Sequence, residues 1–160
     1  MPCIWGQHNG SQLFCAVAIL PVSALAATGQ LTPYVPMAVT ALIDTGATTT
    51  CITSGLASRV PLTPIGKVPV HGVSGIAHHN NYLFYVAFPF TLPPGTVDPN
   101  FPPPSPGQVL GQIFVLHKAI QGCELVTAPN AGFEVLLGMD VISSGSLVVQ
   151  GGNGTFSFSF

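Results

Sequence analysis

The chain has 160 residues, the size of one domain with a real core. It is 48% hydrophobic with 18 Gly and 16 Pro, too apolar for disorder and suited to many short strands and turns. Three basic residues stand against five acidic ones, a formal net charge of -2. No basic patch exists to hold a nucleic-acid backbone. So little charge also predicts poor solubility for a single copy and favours an oligomer that buries surface.

Residues 1–10 hold Trp5 and little else. Residues 13–20 read as a strand ending near Pro21. The wider apolar run, 13–26, ends in Ala-x-Ala as a signal peptide does, but no basic residue precedes it. It is too short to span a bilayer. A buried strand is the reading taken, with a signal the alternative. Residues 34–43 resume β character, with apolar residues on both parities, as in a strand covered on both faces. That strand delivers Asp44, which directly follows Ala41, Leu42 and Ile43. A carboxylate in such a setting is costly to bury without partners, and this points to function. A turn aspartate bonding its own backbone is the plain alternative.

Thr48, Thr49 and Thr50 continue the loop, and Cys51 and Ile52 re-enter apolar packing. Thr53 and Ser54 can cap a short helix over 55–60, stopped by Pro61, with Leu56 and Val60 facing the core. Residues 65–75 lead into the best strand candidate, 76–90. There Tyr82, Phe84, Val86 and Phe88 alternate with Leu83, Tyr85, Ala87 and Pro89. Gly72 and Gly75 bracket a hairpin tip.

Residues 92–107 are Pro-rich and read as an exposed, semi-stiff loop. Residues 109–116 form a strand, 119–127 its expected hairpin partner, and 133–137 a buried strand reaching Gly138. A short helix over 140–144 ends at Gly145. A last hairpin joins 146–150 to 155–160, with Phe156, Phe158 and Phe160 on one face. The four cysteines, Cys3, Cys15, Cys51 and Cys123, show no metal-ligand spacing. Free thiols are the expectation. No nucleotide, metal or haem signature is present, so no cofactor is expected.

Asp44-Thr45-Gly46-Ala47 after an apolar run resembles the catalytic loop of the aspartic proteases, in particular the single-domain retropepsin-like ones. Leu136-Leu137-Gly138-Met139-Asp140 resembles the apolar-apolar-Gly segment that supports that loop and leads into a short helix. The resemblance covers roughly residues 13–160, loosely between the two motifs. It implies an all-β, retropepsin-like acid-protease barrel with one short C-terminal helix, spanning 1–160 as a single domain and active as a symmetric dimer.

The implied chemistry uses two carboxyl groups sharing one proton, one activating water and the other donating to the scissile carbonyl. The sequence has one Asp-Thr-Gly. Asp98 lies in the Pro-rich loop, and Asp140 matches a supporting position. Two chains would therefore each give Asp44 at a two-fold axis. In that reading Thr45 bonds across the axis, Gly46 allows close approach, Ala47 packs behind the loop, and Gly138 lets the supporting segment pass beneath it. Thr48 stands where many viral relatives have a second Asp, and Met139 where they have Arg. Cellular and bacterial members are nearer.

The family's Gly-rich flap maps onto residues 71–81, with His71, Gly72, Val73, Ser74 and Gly75 nearest its tip. An ordinary hairpin is the alternative. His71, His78 and His79 could make closure pH-sensitive, or simply face solvent. The family also suggests that Trp5 packs on a partner and that the C-terminal strand joins an intermolecular sheet. For Trp5 a local lid over the core is equally open, and for the three Phe rings ordinary core packing. The expected function is an aspartic endopeptidase acting on extended, mostly apolar peptides. The alternative is a dimeric peptide- or protein-binding module of the same fold with little turnover. A self-processing form with a blocked cleft is a third reading. Partners are a second copy and a peptide or protein substrate. No nucleic acid and no membrane span are expected. The residues do not fix a location; a cytoplasmic one is slightly favoured over secretion.

Overall fold

Side-chain alternation builds the strands, and one long strand holds them together. The computed structural model describes residues 3–25, 36–72, 75–90, 112–128 and 130–160. In chain order the strands are β1 (Cys3–Gln7), β2 (Leu13–Pro21), β3 (Ala38–Ile43), β4 (Cys51–Thr53), β5 (Gly66–Gly72) and β6 (Gly75–Phe90). Then follow β7 (Gln112–Val115), β8 (Ile120–Leu125), β9 (Val135–Leu137), β10 (Ser146–Gln150) and β11 (Thr155–Ser159). Among the described residues two short α-helices, α1 (Ser54–Arg59) and α2 (Met139–Ile142), and a 3-10 turn at Val22–Ala24 interrupt them.

β6 shows the link from sequence to packing most directly. Tyr82, Phe84, Val86 and Phe88 are all buried, as period-two alternation requires. Its sixteen residues pair in turn with β5, β8, β2 and β7. Neighbours run β2-β3-β9-β4-β8-β6, and β6 pairs back onto β2. Six strands thus close into a ring, which removes the free edges an open sheet would carry. The core inside includes Val17, Ile19, Ile52, Leu56, Phe84, Val135 and Leu137. A smaller cluster of Ala18, Leu20, Ala24 and Ala87 sits on the other face of β2 and β6.

The run 13–21 is therefore a barrel strand. β3 departs from the expected two-sided burial: Ala38 and Thr40 are exposed while Val39, Ala41 and Ile43 are buried. Only near Leu42 does its second face begin to be covered. β7 and β8 do not form a hairpin together, because each pairs with β6. Tyr34, Val35 and the Pro-rich loop lie outside the described residues.

The chain ends form a separate three-stranded sheet, β1-β11-β10, antiparallel throughout. β11 is its middle strand, with both ladders filled inside one chain. β11 itself therefore has no free edge, and the outer strands of this sheet are β1 and β10. Phe156 and Phe158 are buried, and the Phe160 ring stacks on Phe88 at 4.5 Å. Core packing is what those rings do. Trp5 is 70% exposed on β1, so it is not a lid over the core. Among the described residues no helix is long and apolar enough to cross a membrane.

Candidate active site

β9 lies between β3 and β4, parallel to the first and antiparallel to the second. The loop that joins β3 to β4 must therefore pass over the end of β9. Asp44 is the first residue of that loop, and its amide donates to the Leu137 carbonyl at 2.9 Å. Sequence neighbours then shape the turn. The Ala47 amide donates to the Asp44 carbonyl at 3.2 Å, and the Gly46 amide donates to Asp44 Oδ1 at 2.8 Å. The half-buried carboxylate is thus oriented by its own loop, and its Oδ2 has no partner among the described residues.

The segment after β9 fastens the loop from beneath. The Met139 amide donates to the Ala47 carbonyl at 2.8 Å, and the Asp140 amide to the Thr48 carbonyl at 3.2 Å. Gly138 passes so close that an added Cβ would stand 2.6 Å from the Thr49 carbonyl carbon and 2.9 Å from its nitrogen. Only a residue without a side chain fits there.

Thr50 closes the loop. It is the one fully buried polar residue among the described positions. Its Oγ1 donates to Asp140 Oδ1 at 2.7 Å and accepts from the Gly138 amide at 3.0 Å. Its amide donates to Asp140 Oδ1 and Oδ2, both at 3.0 Å, and the Val141 amide also donates to Oδ1, at 2.9 Å. Asp140 is therefore committed to holding Thr50 and the start of α2. It is not a second free acid. Among the described residues of one chain, the loop presents a single carboxylate, that of Asp44.

Of the remaining expected residues, Thr45, Gly46 and Thr48 are exposed, and Ala47 is half-buried. Thr53 caps α1, accepting from the Leu56 amide at 3.2 Å. Gly72 and Gly75 face each other at the end of the β5–β6 hairpin, with Gly75 at φ +117°. Val73 and Ser74 lie outside the described residues. His71 and His78 are exposed and His79 is half-buried along the same hairpin. Among the described residues, no cluster of three or more His, Cys, Asp or Glu could hold a metal.

Two features went unread in the sequence. One is the Thr50–Asp140 bond set, whose members lie 90 residues apart. The other overturns the expectation of four free thiols. β4 and β8 are parallel neighbours with Cys51 opposite Cys123, and the two sulfurs are joined in a disulfide across a Cα–Cα distance of 4.7 Å. Cys3 and Cys15 are free. Burial pushes the Cys15 thiol up to about 12, which leaves it inert near neutral pH. A shallow depression of about 420 Å³, lined by Trp5, Phe14, Cys15 and Thr40 among others, includes none of the Asp44 loop.

Searches against protein-family models and curated protein sequences find no match. A solved structure does match. It is the crystal structure of a retropepsin-like aspartic protease from Rickettsia conorii, with a TM-score of 0.52 and 12% sequence identity. The match covers 98% of this chain and 89% of that one. The fold resembles that of a retropepsin-like protease. At this identity the likeness speaks for the fold alone.

Proposed function

We propose that this chain is an aspartic endopeptidase that works as a homodimer, with one Asp44 from each copy. The observation that supports it is the seating of Asp44. The carboxylate stands at the end of an interior strand, one oxygen fixed by the Gly46 amide, over a glycine that admits the supporting segment. A catalytic carboxylate needs such preorganisation, because a freely rotating acid would lose most of its effective concentration.

Within one chain Asp140 is occupied elsewhere, so the second carboxyl is the Asp44 of another copy. One Asp44, ionised, takes a proton from a water held between the two. The other, protonated, donates to the carbonyl oxygen as the water adds to the carbonyl carbon. Two like charges at close range cannot both ionise, which keeps one proton on the pair. Thr45 lies beside each acid, placed to bond across the two-fold. The β5–β6 hairpin covers the extended substrate, with His71, Gly72 and Gly75 near its end. Sparse local charge favours apolar side chains near the cut.

The test is cleavage of a mixed peptide library from about pH 3 to 8 by wild type and Asp44→Asn, with sedimentation of both. The expected result is cleavage by wild-type dimers only, lost on dissociation. Two folded dimers that bind peptides and cleave none would replace the proposal with a binding module.

A further inference from the structure

The disulfide lies where the loop meets the barrel. Cys51 is the first residue of β4 and directly follows Thr50. The Cys123 amide donates to the Thr50 carbonyl at 3.2 Å, so Cys123 touches the loop terminus by backbone as well as by sulfur. β4 is only three residues long, and just two of them pair with β9. So short a strand has few ladder bonds to hold it. On its other side β8 pairs with β6 in a register that sets Cys123 opposite Asn81, at the foot of the β5–β6 hairpin. One covalent link thus joins the end of the Asp44 loop to the strand that carries the hairpin.

The two cysteines are not equally exposed. Cys51 is partly exposed, whereas Cys123 is 5% exposed. The more exposed Cys51 is the side from which a small thiolate would attack.

We infer that the Cys51–Cys123 pair is a thiol–disulfide exchange site whose oxidised state clamps the Asp44 loop and whose reduction loosens it. The reagent class is a small thiol such as glutathione. A thiolate attacks Cys51 Sγ, forms a mixed disulfide there, and expels Cys123 as a thiolate, which takes a proton from solvent. A second thiolate attacks the sulfur of the bound reagent and releases Cys51. The balance is one protein disulfide and two thiols giving two cysteines and one small disulfide. Oxidised glutathione reverses it. With the clamp open, only non-covalent bonds hold the loop terminus: those of Thr50 to Asp140, Gly138 and the Cys123 amide, and the short β4 ladders. The effect on turnover rests on the proteolytic reading above; the clamp itself does not.

The experiment compares oxidised, glutathione-reduced and reoxidised full-length protein. Three quantities are read: thiols alkylated under denaturing conditions, amide exchange at Thr50 and Gly138, and peptide cleavage. The oxidised form should expose two alkylatable thiols, Cys3 and Cys15, and the reduced form four. Reduction should speed exchange at both amides about tenfold and slow cleavage several-fold, and reoxidation should restore both. A Cys51→Ser/Cys123→Ser variant should match the reduced form and ignore both reagents. If that variant does not fold, the reversible wild-type cycle carries the test. Four alkylatable thiols in unreduced protein, or equal amide exchange in both forms, would overturn the clamp. Cleavage that persists unchanged on reduction would overturn control of turnover by the clamp and leave the protease standing. Exchange that responds in a protein with no cleavage in any state would uphold the clamp and remove the protease.

Discussion

The Asp44 loop and the β5–β6 hairpin are both connections between strands, yet they are held by opposite means. The loop is tied by the Leu137 carbonyl and by the amides of residues 138–140, and its one buried hydroxyl is fully used. Beyond its foot, where Asn80 and Asn81 meet β8, the hairpin is held by its own ladder, running to Gly72↔Gly75, and most of its described side chains are exposed. Long-range bonds make opening one part costly, because the supporting segment must move with it. Local bonds let the other open alone. A site that holds an acid still while admitting a long substrate needs both kinds of construction.

Substitution can break this contrast. The largest effect belongs to Gly138→Ala. The atoms it meets are backbone, so nothing cheap can yield. We expect a loss of about 3 kcal/mol or more, read as a Tm fall of roughly 6–12 °C at this chain length. A Tm within a degree or two of wild type would mean that the loop is not seated as described. Next comes Thr50→Val, which keeps the shape and removes the hydroxyl. It leaves the Gly138 amide unpaired and takes one donor from Asp140. About 2 kcal/mol should be lost in urea unfolding, with amide exchange accelerated at Gly138 and not in the hairpin. The smallest is Gly75→Ala in the hairpin. At φ +117° a side chain is strained, at a cost of about 1 kcal/mol. That strain should appear as faster exchange in β5 and the first half of β6, with global Tm hardly moved. A large Tm fall here would erase the distinction between the two regions.

The same contrast explains what could be read from the sequence. The Asp44 turn was legible because its geometry is local: an apolar strand, an acid, a small-residue turn. The helix cap at Thr53 and the alternation of β6 were legible for the same reason. Asp140 was placed as a supporting residue, but its partner Thr50 was not named, since no spacing rule connects two positions brought together by β9. The Cys51–Cys123 pairing failed likewise. It depends on a parallel register between β4 and β8, which neither strand encodes alone. The fate of β11 turned on whether β1 reached it first, and strand patterns do not say which neighbour a strand will take.

The position of β9 also sets the order in which this molecule can be finished. β3 and β4 touch through a strand made about ninety residues after the loop between them, by the separation of Thr50 from Asp140. During synthesis the nascent chain carries Asp44 long before anything exists to seat it. Pairings so far apart in sequence also form slowly. If the proposed activity holds, the enzyme stays harmless to its own unfolded body and to its neighbours on the ribosome, because the acid is oriented only when the barrel closes.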